Sequence, residues 1–206
     1  MEDDVIGIKV TLIGDSSVGK TCIINKYCKG LFDSEVDSTL GANYSQKKLE
    51  RNGKKIRLDL WDTAGQEKYR AIGRHFYKES YIVCLVYDIT NKESFESLKA
   101  IWYPELVEYG EKYKIIALIG NKIDRYLEET VSEEDGKKFA NEIKAIFKRT
   151  SALSNSDTGI SDLFDELVDK YLNEMKEKNK NEDNKKDENV KIKIERQSTK
   201  PRVMKC

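Results

Sequence analysis

The sequence predicts an α/β fold: a three-layer sandwich with a six-stranded, mostly parallel sheet, one strand antiparallel, and helices on both faces. Solid apolar runs at residues 81–87 and 115–120 are typical of strands buried on both faces. These runs alternate with stretches of helical spacing, and such alternation favours parallel pairing through crossover helices. Asn52-Gly53 separates two loosely alternating stretches, which is the strongest short hairpin signal. We therefore expect the second and third strands to be antiparallel.

The elements follow in order along the chain. The predicted strands are residues 5–13, 42–50, 54–61, 81–87, 115–120 and 145–150. The predicted helices begin near residue 22, at residue 93 and after Ser132, and cover residues 160–175, with an irregular helix over 68–78. Ser132 is the expected N-cap of its helix. Pro104 is expected to kink the helix over 93–109 or to lie near one of its ends.

Length and composition indicate one domain with an extension. The 206 residues suit a single domain over residues 1–175. Residues 176–189 contain no apolar side chain, so residues 176–206 are predicted to be a charged, flexible tail. The chain carries 37 basic and 37 acidic residues, so its charge does not favour nucleic acid as a partner.

The sequence predicts a cytosolic protein, because it has neither a signal peptide nor an apolar run long enough to span a membrane. The four cysteines fit no zinc spacing, and disulfides are not expected in a reducing compartment. Cys22, Cys28 and Cys84 lie in apolar contexts and are predicted to be small core residues.

A glycine-rich turn between the first strand and the first helix predicts a phosphate-binding loop. The turn comprises Gly14, Asp15, Ser16, Ser17, Val18, Gly19, Lys20 and Thr21, and Cys22 follows it. Glycines let the backbone approach a phosphate closely, and the helix N-terminus adds positive potential. Lys20 could reach the β- and γ-phosphates, while the Thr21 hydroxyl could bind Mg²⁺. The alternative is a glycine turn that matches this motif by chance, and the predicted strand before it and helix after it argue against that alternative.

Four sequence signals converge on one edge of the predicted sheet. The phosphate loop, Asp62, residues 121–124 and residues 151–153 each follow the carboxyl end of a strand. Ligands of open α/β sheets bind at that edge. The sequence therefore predicts one site built from all four segments.

In order and spacing, these motifs resemble those of Ras-type small GTPases, and the resemblance covers about residues 5–172. It implies the fold of phosphate-loop nucleotide hydrolases, with GTP as substrate, GDP as product and Mg²⁺ as cofactor. Within that superfamily the chain looks like a Rab protein. The Rab-like stretches are residues 40–44, 61–67, 68–72, 76–78 and 85–90.

The resemblance assigns the guanine end of the site. The Asp124 carboxylate suits the adjacent N1–H and N2–H₂ donors of guanine, a pair that adenine lacks. The other expected guanine-binding residues are Phe32, Asn121, Lys122, Ser151, Ala152 and Leu153. Asn121 is expected to tie this segment to the phosphate loop, and Ser151 to support Asp124. Leu153 departs from the usual Lys, so we expect altered nucleotide affinity without altered base choice.

The resemblance also assigns the phosphate end and the parts that change between nucleotide states. Thr21, Thr39 and Asp62 are expected to hold Mg²⁺, the last through a water. Thr39 and Gly65 are expected to lose their contacts with the nucleotide and Mg²⁺ when the γ-phosphate leaves. Gln66 has the position of the residue that orients the attacking water. Arg70, Arg74 and His75 are interpreted as partner contacts or surface residues. The expected effector-binding residues are Leu40, Gly41, Tyr44, Trp61 and Phe76.

The resemblance further implies partners and a membrane role. It suggests a monomer that meets an exchange factor, a GTPase-activating protein, effectors and a GDP-dissociation inhibitor. Cys206 would be geranylgeranylated, so that the protein cycles from the cytoplasm onto the cytosolic face of intracellular membranes. Most Rabs carry two such cysteines, and one lipid chain anchors only marginally without basic residues such as Lys200, Arg202 and Lys205.

Three alternatives remain open on the sequence. The chain could be a nucleotide-dependent binding module with little hydrolysis, a member of another Ras-like branch, or a phosphotransferase built on the same loop. The presence of Lys20, Thr21, Thr39 and Gln66 argues against a degenerate module. The short step from Asn121 to Ser151 leaves no room for the insertion typical of the Rho branch. Asp124 and the lack of a second substrate domain argue against a phosphotransferase.

Overall fold

A computed structural model contains a six-stranded sheet, and it describes residues 5–32, 39–66, 76, 78–110, 115–153 and 159–178. The strands are β1 (Ile6–Ile13), β2 (Ala42–Arg51), β3 (Lys54–Thr63), β4 (Ile82–Asp88), β5 (Ile115–Asn121) and β6 (Ile146–Thr150). Their order in the sheet is β2-β3-β1-β4-β5-β6. The first strand thus lies inside the sheet, with the phosphate loop at its carboxyl end.

Strand pairing confirms the predicted fold class. β1 pairs in parallel with both β3 and β4, and β5 pairs in parallel with β4 and β6. β2 and β3 form the antiparallel hairpin that Asn52-Gly53 predicts, with Arg51 opposite Lys54. Several strands continue past their predicted ends, so Asp62, Asp88 and Asn121 belong to the ladder itself. Their backbones are therefore fixed by the sheet.

In the described part of the chain, helices follow β1, β4 and β5. Their bounds are α1 (Lys20–Lys29), α2 (Lys92–Ser97), a π-helical turn (Leu98–Trp102), α3 (Tyr103–Tyr109), a 3-10 helix (Ile123–Glu128) and α4 (Glu133–Glu142). Ser132 caps α4 as predicted, since its side-chain oxygen accepts a hydrogen bond from the Asp135 N–H at 3.1 Å. Residues 160–167 are also helical.

The predicted continuous helix over residues 93–109 is wrong in one respect, because a π turn interrupts it. The Tyr103 N–H bonds to the carbonyl of Leu98, five residues earlier, which widens the helix at that point. Pro104 lies directly after the π turn, in the first turn of α3. Because Trp102 and Tyr103 keep right-handed helical angles, the helical backbone continues through this point and Pro104 lies inside the run, next to the widened turn.

The hydrophobic core lies against the central strands. Every residue of β4 is buried, and helices α2, α3 and α4 contribute Phe95, Leu106 and Phe139 to the same cluster. Cys84 is fully buried, as predicted, and burial raises the pKa of its thiol to about 12. The core prediction is wrong for Cys22 and Cys28, which are only half-buried on α1, because this helix buries just one side.

The chain divides into two compact units, residues 1–167 and 168–206. In the second unit the structure describes residues 168–178, which are helical. None of the helices in the described part of the chain is both long and apolar enough to cross a bilayer. The predicted boundary between a domain over 1–175 and a tail over 176–206 stays a prediction.

Candidate functional site

A cavity of about 390 Å³ opens at the carboxyl edge of the sheet, where the four sequence signals were expected to meet. Its lining contains 15 predicted site residues: Ser16, Ser17, Gly19, Lys20, Thr21, Cys22, Phe32, Thr39, Gly65, Gln66, Asn121, Lys122, Asp124, Ala152 and Leu153. Gly14, Asp15, Val18, Asp62 and Ser151 do not line it but contact residues that do. Thr63 and Arg125 line the cavity without having been predicted.

The phosphate loop needs its two glycines for steric reasons. Gly14 has a φ of +142°, and a Cβ there would lie 2.2 Å from the Val86 carbonyl oxygen. Gly19 has a φ of +97°, and its Cβ would lie 2.3 Å from Nδ2 of Asn121. Gly19 is also the N-cap of α1 and makes no side-chain cap, so the first amides of α1 face the cavity without a competing side-chain acceptor. This arrangement suits an anionic ligand.

Lys20 supplies a buried cation at the same end of the cavity. Its Nζ donates to the carbonyl oxygens of Gly14 at 2.8 Å and Asp15 at 2.7 Å, and the side chain is 5% exposed. Burial lowers the pKa of Lys20 to about 8, although the negative charges of Asp62 and Asp15 oppose this shift. A phosphate would stabilise the charged form of this side chain.

Three oxygen-bearing side chains meet beside Lys20. The hydroxyls of Thr21 and Thr39 donate to Oδ2 of Asp62 at 2.7 and 2.9 Å and lie 3.2 Å apart. Asp62 is 2% exposed, and within the described part of the chain its Oδ1 has no hydrogen-bond partner. Burial raises the pKa of Asp62, while the two hydroxyls and Lys20 act in the opposite direction.

This donor set fits Mg²⁺, which prefers oxygen ligands and usually keeps one or two carboxylates together with phosphate and water. An orphaned, buried carboxylate oxygen beside two hydroxyls is a cost that a cation would relieve. The described residues contain no group of three His, Cys, Asp or Glu side chains that could hold a metal alone. The remaining ligands would therefore have to come from a phosphate and from water.

The other end of the cavity presents a fixed carboxylate. The Ser151 hydroxyl donates to Oδ1 of Asp124, as the supporting role predicted for Ser151 requires. The Asn121 amide donates to the Val18 carbonyl at 2.9 Å, and its oxygen accepts from the Thr150 hydroxyl at 3.1 Å. Asn121 therefore makes the predicted tie between this segment and the phosphate loop.

Lys122 lines the cavity, and its ammonium group forms an ion pair with Asp88. Its backbone is left-handed, with a φ of +69°, and its Nζ pairs with Oδ2 of Asp88 at 2.7 Å. Burial disfavours the Asp88 carboxylate, but bonds from Lys122 and Thr90 outweigh burial and hold the pKa of Asp88 below its usual value. The ion pair leaves the lysine stem along the cavity wall, where a planar base could pack.

Apolar and cationic side chains border the same end. Phe32 is 38% exposed and Leu153 is 50% exposed at the cavity, whereas Ala152 is buried. Arg125 also lines the cavity, and its Nε donates to Glu128 at 3.0 Å. Sequence reasoning missed Arg125, although its position directly after Asp124 was a usable signal.

The five predicted effector-binding residues are described, and they lie outside the cavity lining. Trp61 stacks at a tilt between Tyr44 and Phe76, with centroid distances of 5.3 and 4.8 Å. Tyr44 and Leu40 are strongly exposed, and the Gly41 carbonyl accepts from the Ala64 N–H at 2.8 Å. The aromatic cluster exists as expected, while its binding role stays a prediction. Arg70, Arg74, His75 and Cys206 lie outside the described residues.

A glycine-rich loop with a buried lysine, a cluster of oxygen-bearing side chains and a remote carboxylate meet around one cavity, and this combination is typical of the phosphate-loop class of proteins. Residues 9–173 match the Ras family, and the chain belongs to that family. It is 41% identical to "Ras-related protein Rab-26" of Rattus norvegicus over 150 residues, covering 72% of this chain and 58% of the relative. Identity to "Ras-related protein Rab-30" of Homo sapiens is 35%, over 86% of both chains. Identity to "Ras-related protein Rab-18" of Lymnaea stagnalis is 37%, over 83% of both chains.

These relatives place the chain in the Rab branch of the family. The chain spans somewhat more than half the length of the Rab-26 relatives from rat, mouse and human.

Replacing Leu153 by Lys is expected to slow GDP release by about two- to fivefold, because a longer alkyl stem would cover more of the base. Stopped-flow release of a fluorescent GDP analogue measures the rate. Leu127→Lys is the matched control, since Leu127 is 86% exposed and does not line the cavity. Equal rates for the wild type and Leu153→Lys would show that this position has no influence on affinity.

Proposed function

We propose that this chain binds GTP and GDP with Mg²⁺, hydrolyses GTP slowly, and acts as a membrane-attached switch of the Rab type in vesicle traffic. One observation carries the proposal: a single cavity has a fixed Asp124 carboxylate at one end and, at the other, Lys20 with Thr21 and Thr39, whose hydroxyls bond to Asp62 behind the lining. A nucleoside triphosphate has a base and a phosphate chain that match these two ends.

Base choice would follow from Asp124. Its carboxylate can accept from both N1–H and N2–H₂ of guanine, and adenine would leave it desolvated and unpaired. The Ser151 hydroxyl bond holds the carboxylate in place, so the acceptor does not have to be ordered on binding. Lys122 and Phe32 supply surfaces against which the base can pack.

Phosphate binding would follow from the loop and its lysine. Lys20 uses two of its three N–H donors on the carbonyls of Gly14 and Asp15, so the third could donate to a phosphate oxygen while both bonds remain. The first amides of α1 would face the same phosphate charge. Thr21, Thr39 and Asp62 would hold Mg²⁺, which neutralises charge on the β- and γ-phosphates when bound.

Hydrolysis would depend on positioning a water molecule. Gln66 lines the cavity, and Asp124 is the one acidic side chain among the described lining residues, at the base end. At the phosphate end, Asp62 is bonded to Thr21 and Thr39 in the proposed Mg²⁺ site, and the described lining offers no other carboxylate there. The rate would therefore rest on Gln66 orienting water. Slow intrinsic turnover and acceleration by an activating protein that supplies an arginine are the expected consequences.

The same residues would report the nucleotide state to partners. Thr39 and Gly65 lie at the cavity, so loss of the γ-phosphate would release both segments. Leu40, Gly41, Tyr44, Trp61 and Phe76 would then change their presentation to effectors. An exchange factor, a GTPase-activating protein and a GDP-dissociation inhibitor complete the proposed cycle of a monomeric switch.

Two measurements on the purified chain test this proposal. Competition titrations in Mg²⁺ should show GTP and GDP displacing a fluorescent guanine nucleotide, with ATP failing at the same concentrations. Single-turnover assays should show slow release of phosphate that stops when Mg²⁺ is chelated. Equal affinity for ATP would refute the base assignment. Tight GTP binding with no phosphate release would instead support the nucleotide-dependent binding module.

The membrane role predicts a lipid on Cys206. Mass spectrometry of the peptide that contains Cys206, taken from the native protein, should show the added mass of a geranylgeranyl group. Lys200, Arg202 and Lys205 would assist a single chain by attraction to anionic lipids. Cys206→Ser should move the protein from the membrane to the soluble fraction, with Cys28→Ser as the matched control. An unmodified Cys206 would exclude this mode of attachment.

A further inference from the structure

Asp15 of the phosphate loop is contacted from three directions. Its side-chain Oδ1 accepts a hydrogen bond of 2.8 Å from the indole Nε1 of Trp102, 87 residues away in the chain. Its carbonyl oxygen accepts from Lys20 Nζ at 2.7 Å. Gly65 lies so close that a Cβ there would be 2.3 Å from the Asp15 carbonyl carbon and the Ser16 nitrogen. The Asp15–Ser16 peptide therefore meets Lys20 and Gly65, while the side chain of Asp15 is held by a remote tryptophan.

The π turn directs Trp102 towards the Asp15 side chain. Trp102 is the last residue of the turn, and a π turn inserts one extra residue into an α-helix. The insertion shifts the direction of the following side chains by about one residue, or roughly 100°, relative to a continuous helix. Trp102 is 1% exposed within the core cluster, so its indole is held rigidly while its N–H reaches Asp15.

We propose that Trp102 is a positioning residue for GTP, acting through its hydrogen bond to Asp15. The bond holds the Asp15 side chain and thereby positions the Asp15–Ser16 peptide. The carbonyl oxygen of this peptide accepts from Lys20, and Gly65 packs closely against the same peptide. The inference rests on the proposed function, because it assigns Trp102 a part in distinguishing GTP from GDP. Trp102 itself does not line the cavity.

A structural role alone makes a different prediction. If Trp102 only fills the core, its replacement should weaken folding and lower the affinity for GTP and GDP alike. If it positions Asp15, its loss should affect GTP more, because Gly65 approaches the peptide to meet a γ-phosphate that GDP lacks. The ratio of the two dissociation constants therefore separates the two roles.

The experiment removes the hydrogen bond from each side. Trp102→Phe keeps an aromatic ring in the core and loses the N–H, and Asp15→Ala loses the acceptor. Each is expected to raise the ratio of the GTP to the GDP dissociation constant by about fivefold to tenfold, which is less than the full effect of one lost hydrogen bond to a charged group because the bond acts on GTP through Asp15. The double variant should show no more than the larger single effect, because both changes delete one interaction.

Two further variants control for stability and for chemistry. Leu106→Ala removes packing from the same core cluster at a residue 4% exposed, and it should leave the GTP to GDP ratio unchanged. Asp15→Asn keeps an oxygen acceptor for the indole, so its effect on the ratio should be clearly smaller than that of Asp15→Ala. Thermal unfolding of each variant shows how much stability is lost.

The outcomes are distinct. If the ratio of the GTP to the GDP dissociation constant in Trp102→Phe equals that of the wild type or of Leu106→Ala, the inference is overturned and the proposed function stays intact. Multiplicative effects of Trp102→Phe and Asp15→Ala would also overturn it, since they would show independent roles. Failure of the wild type to bind GTP at all would overturn both the inference and the proposed function.

Discussion

Asp124→Asn is expected to exchange a preference for guanine nucleotides for a preference for xanthine nucleotides. The carboxylate presents two acceptors to N1–H and N2–H₂ of guanine, whereas an amide presents one acceptor and one donor. Xanthine has an N1–H donor beside a carbonyl oxygen, and this pair matches the amide. We expect GDP affinity to fall about 100-fold or more, since two hydrogen bonds to a charged group are lost or reversed.

Competition titrations with GDP and xanthosine diphosphate measure this exchange directly. Ser151 can still donate to the amide oxygen, so the side chain should keep its place beside the cavity. Asp162→Asn is the matched control, because it makes the same chemical change at an exposed position outside the cavity. Unchanged GDP affinity in Asp124→Asn would show that this carboxylate does not select the base.

The gathering of the site could be predicted because it follows from topology. Parallel strands end at one edge of the sheet, so segments that follow β1, β3, β5 and β6 must meet there whatever their side chains do. The Asn121–Val18 and Ser151–Asp124 bonds join neighbours within that arrangement. Both bonds were predicted from the resemblance to Ras-type small GTPases, which the motifs at these positions carry.

Contacts that depend on register or on packing could not be predicted in the same way. The Lys122–Asp88 pair requires knowing that Asp88 lies opposite Asn121 across β4 and β5, which the sequence does not fix. The π turn depends on how Leu98 and Trp102 pack, and helical periodicity carries no sign of one inserted residue. The Trp102–Asp15 bond needs both kinds of information and was therefore missed.

The wrong prediction for Cys22 and Cys28 has a related cause. An apolar residue in an apolar stretch is buried only if it lies on the side of the helix that faces the sheet. On α1 that side is formed by Ile23, Ile24 and Tyr27, so the two cysteines lie beside it. Cys22 instead lines the cavity, in keeping with its other predicted role next to the phosphates.

Gly65→Ala is expected to slow GTP hydrolysis strongly while leaving the affinity for GDP almost unchanged. A methyl group would meet the carbonyl carbon and oxygen of Asp15 and the nitrogen of Ser16 at 2.3 to 2.4 Å, and all of these are backbone atoms. Ordinary carbon contacts need about 3.5 Å, so the segment would have to retreat by about 1 Å. Since Gly65 and the neighbouring Gln66 are proposed to act on the γ-phosphate, single-turnover GTP hydrolysis should fall roughly 10- to 100-fold.

GDP affinity separates this effect from general damage to the site. GDP offers no γ-phosphate for Gly65 to meet, so its dissociation constant should change by less than about threefold. Gly7→Ala is the matched control, because the exposed β1 position has only the end of the Arg57 side chain within 3.4 Å of a new Cβ. Normal hydrolysis by Gly65→Ala would mean that the contact between Gly65 and the Asp15–Ser16 peptide plays no part in turnover. Equal losses of GTP and GDP binding would mean that the contact supports the loop in both nucleotide states.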